Sequence, residues 1–120
     1  MHIPAEVAYI VYSYKQAFLM EQIIEEFGRL VRKKVGGHVR KVVLFGSHAR
    51  GTATPDSDYD FLIVADNASR EIRDAVVSAA VEILDRYNSL IGAVVCDEQQ
   101  WEEKKRFPIG LNILSEGIEI

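Results

Sequence analysis

Two aspartates, Asp58 and Asp60, stand two residues apart ahead of an apolar run, Phe61-Leu62-Ile63-Val64. In extended chain that spacing turns both carboxylates to one face, and Tyr59, Phe61 and Ile63 to the other, where they anchor the strand to a core. A carboxylate pair of this kind suits magnesium, a hard cation that takes oxygen ligands, keeps several waters and shares phosphate oxygens. Two-metal sites hold their ions roughly 3.5–4 Å apart to clamp the attacking and leaving oxygens of an in-line displacement, and two aspartates can bridge such ions. Turn capping is the plainer reading, because Pro55-Asp56-Ser57-Asp58 is turn-rich. It accounts for Asp56 and Asp58 but not for Asp60, which leads straight into four apolar residues.

A second apolar run, Val42-Val43-Leu44-Phe45, breaks at Gly46-Ser47. Gly46 lets the backbone turn sharply and approach a ligand. A helix starting near Ser47 would turn free N–H groups and a positive dipole end toward phosphate, with the Ser47 hydroxyl adding a hydrogen bond. Arg50 is the nearest fixed cation. It has two readings, a forked contact to phosphate or a surface ion pair with a nearby aspartate.

Gly46-Ser47, ten intervening residues, then Asp58-Tyr59-Asp60 resembles the G-S-x10-D-x-D signature of the DNA polymerase β-like nucleotidyltransferase superfamily. The chain is most similar to its minimal nucleotidyltransferase (MNT) branch, the antitoxin partner of HEPN-domain toxins. The likeness extends through Gly46-Ser47-His48-Ala49-Arg50-Gly51, the strand after Asp60, and the tail Asn112-Ile113-Leu114-Ser115-Glu116-Gly117-Ile118. It runs from about Val39 onward. It implies an α/β fold of the α+β kind, a small mixed sheet flanked by helices. The whole chain, 1–120, would be one minimal domain, with an N-terminal helix in 1–37 and the transferase core in 38–120. It further implies magnesium-dependent transfer of AMP from ATP to a tyrosine of a HEPN toxin. Asp58 and Asp60 would be the metal ligands and catalytic acids, Gly46 and Ser47 would cradle the β- and γ-phosphates, and Arg50 would complete the nucleotide site.

One feature departs from that pattern. Polymerase β-like transferases generally carry a third carboxylate on a neighbouring strand, and Leu90-Ile91-Gly92-Ala93-Val94-Val95-Cys96 offers none. Asp97 reads as a helix N-cap and Asp85 falls on a helix. Metal binding survives this loss more readily than turnover, because an unassisted hydroxyl is a weak nucleophile near neutral pH. Two other functions therefore stay open. One is a degenerate module that neutralises a partner by contact; the other is a small-molecule transferase of the aminoglycoside-modifying type, completed by a dimer.

The elements that position these residues follow from pattern. At 120 residues and 48% hydrophobic composition the chain suits one globular domain. A net charge of −4 argues against broad nucleic-acid binding. The single Cys96 excludes an internal disulfide and fits a reducing cytoplasm, where it is a small buried residue. The apolar residues 7–14 are broken by Lys15-Gln16 and fall short of the ~18 needed to span a membrane. They also carry three tyrosines and lack a basic flank, unlike a signal peptide. A long helix from about Ala5 to Lys34 fits better, with Met20, Ile24, Phe27 and Val31 on one stripe and Ile23 and Leu30 beside it. Arg29, Arg32, Lys33 and Lys34 suit its C-terminal dipole end, in preference to an RNA contact, and Gly36-Gly37 ends it. Tyr9, Tyr12 and Phe18 exceed what a small core absorbs and imply a contact surface for a partner or a second copy.

Beyond the motif, Asp66-Asn67-Ala68-Ser69 is a polar break, and Arg70 to about Tyr87 reads as a helix with Ile72, Val76, Ala79, Ile83 and Tyr87 inward. Leu90 to Cys96 reads as a fully buried third strand. Asp97-Glu98-Gln99-Gln100 resembles a capping box opening a helix through Trp101 to about Lys105. Phe107-Pro108 breaks it, and Leu111 to Glu116 forms a last helical turn closed by Gly117. His48 would meet phosphate or solvent, whereas His2 and His38 are isolated. No histidine pair has zinc-ligand spacing.

Overall fold

A computed structural model describes residues 2–120. In chain order they form α1 (Ala5–Val35), a 3-10 turn at Gly36–His38, β1 (Val39–Phe45), α2 (Ser47–Arg50), β2 (Tyr59–Ala65) and α3 (Arg70–Tyr87). β3 (Ile91–Asp97), α4 (Glu98–Lys104), α5 (Pro108–Glu116) and β4 (Ile118–Glu119) follow. The sheet is mixed, in the order β3-β2-β1-β4, with β1 antiparallel to β2 and β4, and β2 parallel to β3. The fold is the expected small mixed sheet flanked by helices.

Strand alternation divides the core into two layers. Val42 and Leu44 of β1 and Tyr59, Phe61, Ile63 and Ala65 of β2 face α1 and α3. Val43, Leu62, Val64 and Cys96 face Trp101 of α4 and Ile113 of α5. Phe27 of α1 packs on Phe61 with ring centroids 4.5 Å apart. Cys96 is buried, and the thiol is pushed up from its usual pKa by that burial.

The periodic helices match expectation closely. α3 runs from Arg70 to Tyr87 with Ile72, Val76, Ala79 and Ile83 buried, and the Ser69 side chain accepts from the Ile72 N–H as N-cap. Asp97 caps α4 in a two-way capping box with Gln100. α5 is longer than a single turn. Pro108 both ends the preceding segment and opens α5, where its fixed φ and missing N–H suit a first helical position.

α1 is 31 residues, about 46 Å at 1.5 Å per residue. Its second half buries Ile23, Phe27, Leu30, Val31 and Val35, whereas every residue from His2 to Lys15 is exposed. Three of the four basic residues at its end are paired within the chain. Arg29 pairs with Glu26, Lys34 with Glu82 of α3 at 2.7 Å, and Arg32 donates to the Ile120 carbonyl at 2.6 Å. No helix among the described residues is long and apolar enough to cross a membrane.

Two expectations are corrected. β3 is an edge strand, and Gly92 and Ala93 are exposed. α3 covers one face, and on the other Cys96 packs in a cluster with Trp101 of α4, so an unbroken apolar run does not imply a central strand. His38 is not isolated either. Its Nδ1 lies 2.9 Å from the Asp66 carboxylate, which this bond holds below the usual carboxylate range.

Candidate active site

β1 and β2 are paired so that Phe45, the last residue of β1, opposes Asp60. The turn beyond β1 is thereby brought beside the head of β2. Gly46 adopts φ +78°, a left-handed conformation that disfavours any side chain, and a Cβ there would collide with the Asp60 carboxylate. Glycine is thus required twice, for the turn and for the approach.

The turn continues into α2, a single helical turn. The Gly46 carbonyl accepts from the N–H groups of Ala49 and Arg50 at 3.1 and 3.0 Å. The N–H groups of Ser47 and His48 have no acceptor among the described residues. They are unpaired donors at the start of the turn. The loop to β2 is tied down by the Ser57 hydroxyl, which accepts from the Thr54 N–H at 2.9 Å. His48 lies flat on Tyr59, rings 3.7 Å apart, and its Nε2 is 3.1 Å from the Ser57 carbonyl. A carbonyl only accepts, so Nε2 carries the hydrogen, and His48 serves as a clamp on the aspartate loop.

Asp58 lies just outside β2 and is exposed, while Asp60 lies within it and is half-buried. Neither carboxylate has a hydrogen-bond or ion-pair partner among the described residues. Desolvation, followed by the negative charge of Asp58, pushes the Asp60 carboxyl above its usual pKa. Adjacent acids with no direct ion-pair partner have the donor chemistry of a magnesium site that would be completed by phosphate oxygens and water. No cluster of three or more metal-ligating side chains exists among the described residues. Gly92 shows why. It is paired with Asp60 across β2 and β3, and a Cβ on it would sit 3.2 Å from Asp60 Oδ1. A third acid on this edge strand would stand there, and the position carries no side chain.

Of the two readings of Arg50, the ion pair with an aspartate is not formed. The guanidinium pairs instead with Glu116 at the end of α5, at 3.0 Å. Glu116 also accepts from the Gly46 N–H at 3.1 Å. Sequence reasoning assigned Glu116 no role. Its signal was the tail likeness in Asn112–Ile118, which contains it 70 residues away from the turn it touches.

The nucleotidyltransferase-domain family model matches residues 20–115. The chain is 36% identical over 97 residues to a Methanocaldococcus jannaschii protein named "putative protein adenylyltransferase", covering 81% of this chain and 93% of that one. A second protein of that organism and description is 30% identical over 104 residues, covering 81% and 68%. This chain belongs to the nucleotidyltransferase-domain family. A toxin–antitoxin structure solved with AMP-PNP shares the fold, with a TM-score of 0.55 and 18% identity over 79% of this chain and 69% of that one. The exposed first half of α1 precedes the matched residues.

Proposed function

We propose that this chain is a magnesium-dependent protein adenylyltransferase that moves AMP from ATP onto a tyrosine of a partner HEPN toxin, and so acts as its antitoxin. The observation that carries this reading is the unpartnered Asp58–Asp60 pair set against the Gly46 turn. Asp58 and Asp60 would hold the metal, which when bound supplies positive charge to the phosphate oxygens. The Ser47 and His48 N–H groups, the Ser47 hydroxyl and Arg50 would hold the β- and γ-phosphates. The tyrosine oxygen would then bond to the α-phosphorus as the bond to the β-phosphate oxygen breaks. Pyrophosphate leaves and the phenol proton passes to solvent. Alignment and charge stabilisation would supply most of the acceleration.

A protein acceptor is supported by the name of the relatives and by the free half of α1. There Tyr9, Tyr12, Tyr14 and Phe18 are 71%, 52%, 76% and 69% exposed, an apolar surface of the kind that marks a protein contact. The bare Gly92 position favours a second reading, in which the chain neutralises its partner by contact without turnover.

Labelling separates the two. With ATP labelled at the α-phosphate, magnesium and a HEPN-domain protein from the same source, the first reading predicts label on a tyrosine of that protein. Asp58→Asn and Asp60→Asn remove it. A complex that forms without label in the wild type would contradict the enzyme reading.

A further inference from the structure

The anion-binding side of the site already holds an anion. Glu116 sits at the C-terminus of α5 with its side chain only 17% exposed. One of its oxygens accepts from the Gly46 N–H at 3.1 Å, and Arg50 Nη1 reaches both oxygens, at 3.2 and 3.0 Å. The Arg50 bond first, and the Gly46 bond second, hold the Glu116 carboxyl below its usual range, so it is ionised at neutral pH. Two oxygens shared between a backbone amide and a guanidinium reproduce the contacts of a phosphate group.

The backbone that carries this carboxylate is firmly placed. β4 pairs with β1 through Glu119 and Ile118, and the Ile120 N–H donates to the Val42 carbonyl at 2.9 Å. Gly117 is packed so closely on Ile113 and Val43 that a Cβ would not fit. The Glu116 side chain can leave the turn by rotating about its own bonds, with no movement of α5.

We infer that Glu116 is a resident anion in the phosphate-binding donors, which the nucleotide triphosphate must exchange for itself before it is fully seated. This rests on the nucleotide reading of the site. A metal-bound triphosphate offers several oxygens to the same donors and displaces the carboxylate. AMP, with a single phosphate, competes less well. Once displaced, Glu116 lies close to both the triphosphate and Asp60, and like-charge repulsion favours its return when pyrophosphate departs. Glu116 would thus weaken the binding of every polyphosphate while helping to clear the site after transfer.

The test is calorimetric titration of the full chain with magnesium AMP-PNP and, separately, with inorganic pyrophosphate. Wild type, Glu116→Gln and Glu116→Asp are compared, each checked for folding by circular dichroism. Exchange predicts that Glu116→Gln, which removes the charge and keeps the shape, binds both probes about 3–10-fold more tightly. Glu116→Asp, whose shorter side chain spans the two donors poorly, falls between it and wild type. Weaker binding by Glu116→Gln would overturn the inference and make Glu116 a brace that positions Arg50. Equal affinity in all three proteins would also overturn it, while leaving the nucleotide reading intact. Absence of AMP-PNP binding in all three folded proteins would overturn both.

Discussion

The two sides of the candidate site differ in how their charges are met. On the turn side, Arg50 and the Gly46 N–H are satisfied within the chain by Glu116. On the strand side, Asp58 and Asp60 form no ion pair among the described residues, and burial, then the Asp58 charge, raises the Asp60 carboxyl above its usual pKa. Glu116 thus meets Arg50 and the Gly46 N–H but leaves the Ser47 and His48 N–H groups unpaired, while Asp58 and Asp60 have no hydrogen-bond or ion-pair partner among the described residues. On the proposed function a metal would answer the aspartates, and the phosphates would supplant the glutamate. The imbalance marks the strand side as costly to stability and the turn side as favourable to it.

The largest expected effect falls on the strand side. Asp58→Asn or Asp60→Asn removes charge from the metal pair and lowers transfer of α-labelled phosphate by at least about 10²-fold. Gly46→Ala comes next and strikes both sides. It forces an L side chain into the left-handed region, costing roughly 1–2 kcal/mol, and crowds Asp60 as well. A thermal melt should fall by several degrees and ATP binding should be lost. Arg50→Ala sharpens the comparison further. It weakens ATP affinity only about 3–10-fold, less than a lone charge-assisted bond would imply, because Glu116 loses the same partner. Titration of ATP against the variant measures this.

The smallest effect is the most diagnostic, because its sign differs between the two sides. The folded pKa of Asp60 is raised, so its ionised form opposes folding, and that cost grows as pH rises through the raised value. Asp60→Asn should raise the melting temperature of the metal-free protein at neutral pH by roughly 1–3 °C while abolishing transfer. The folded pKa of Glu116 is lowered, so its contribution is full above the ordinary glutamate value of about 4.3 and is lost as pH falls through the lower folded value. Glu116→Gln should therefore lower the melting temperature at neutral pH and flatten its acid dependence. Melts from pH 3 to 8 read both variants together.

Much of this arrangement was legible from the chain. The helical period of Arg70–Tyr87, the capping box at Asp97, and the Gly46-Ser47 and Asp58/Asp60 spacing are local signals, and each lies within one element or one loop. Relations between distant segments were not legible. Glu116 reaches Gly46 only because the two-residue strand β4 pairs with β1 and draws the end of α5 to the turn. A strand so short leaves no periodicity to read. β3 has the composition of a central strand, but it lies at one edge of the sheet, and no strand among the described residues pairs outside it. His38 and Asp66 meet because β1 and β2 begin and end together, a matter of register rather than of sequence proximity.

The most direct test of the central claim is the affinity for ATP with and without magnesium, in wild type and Asp60→Asn. If Asp58 and Asp60 are the open metal half of a nucleotide site, magnesium tightens ATP binding to the wild type by at least about 10-fold and leaves the variant unchanged. Equal affinity in the wild type with and without the metal would contradict the account.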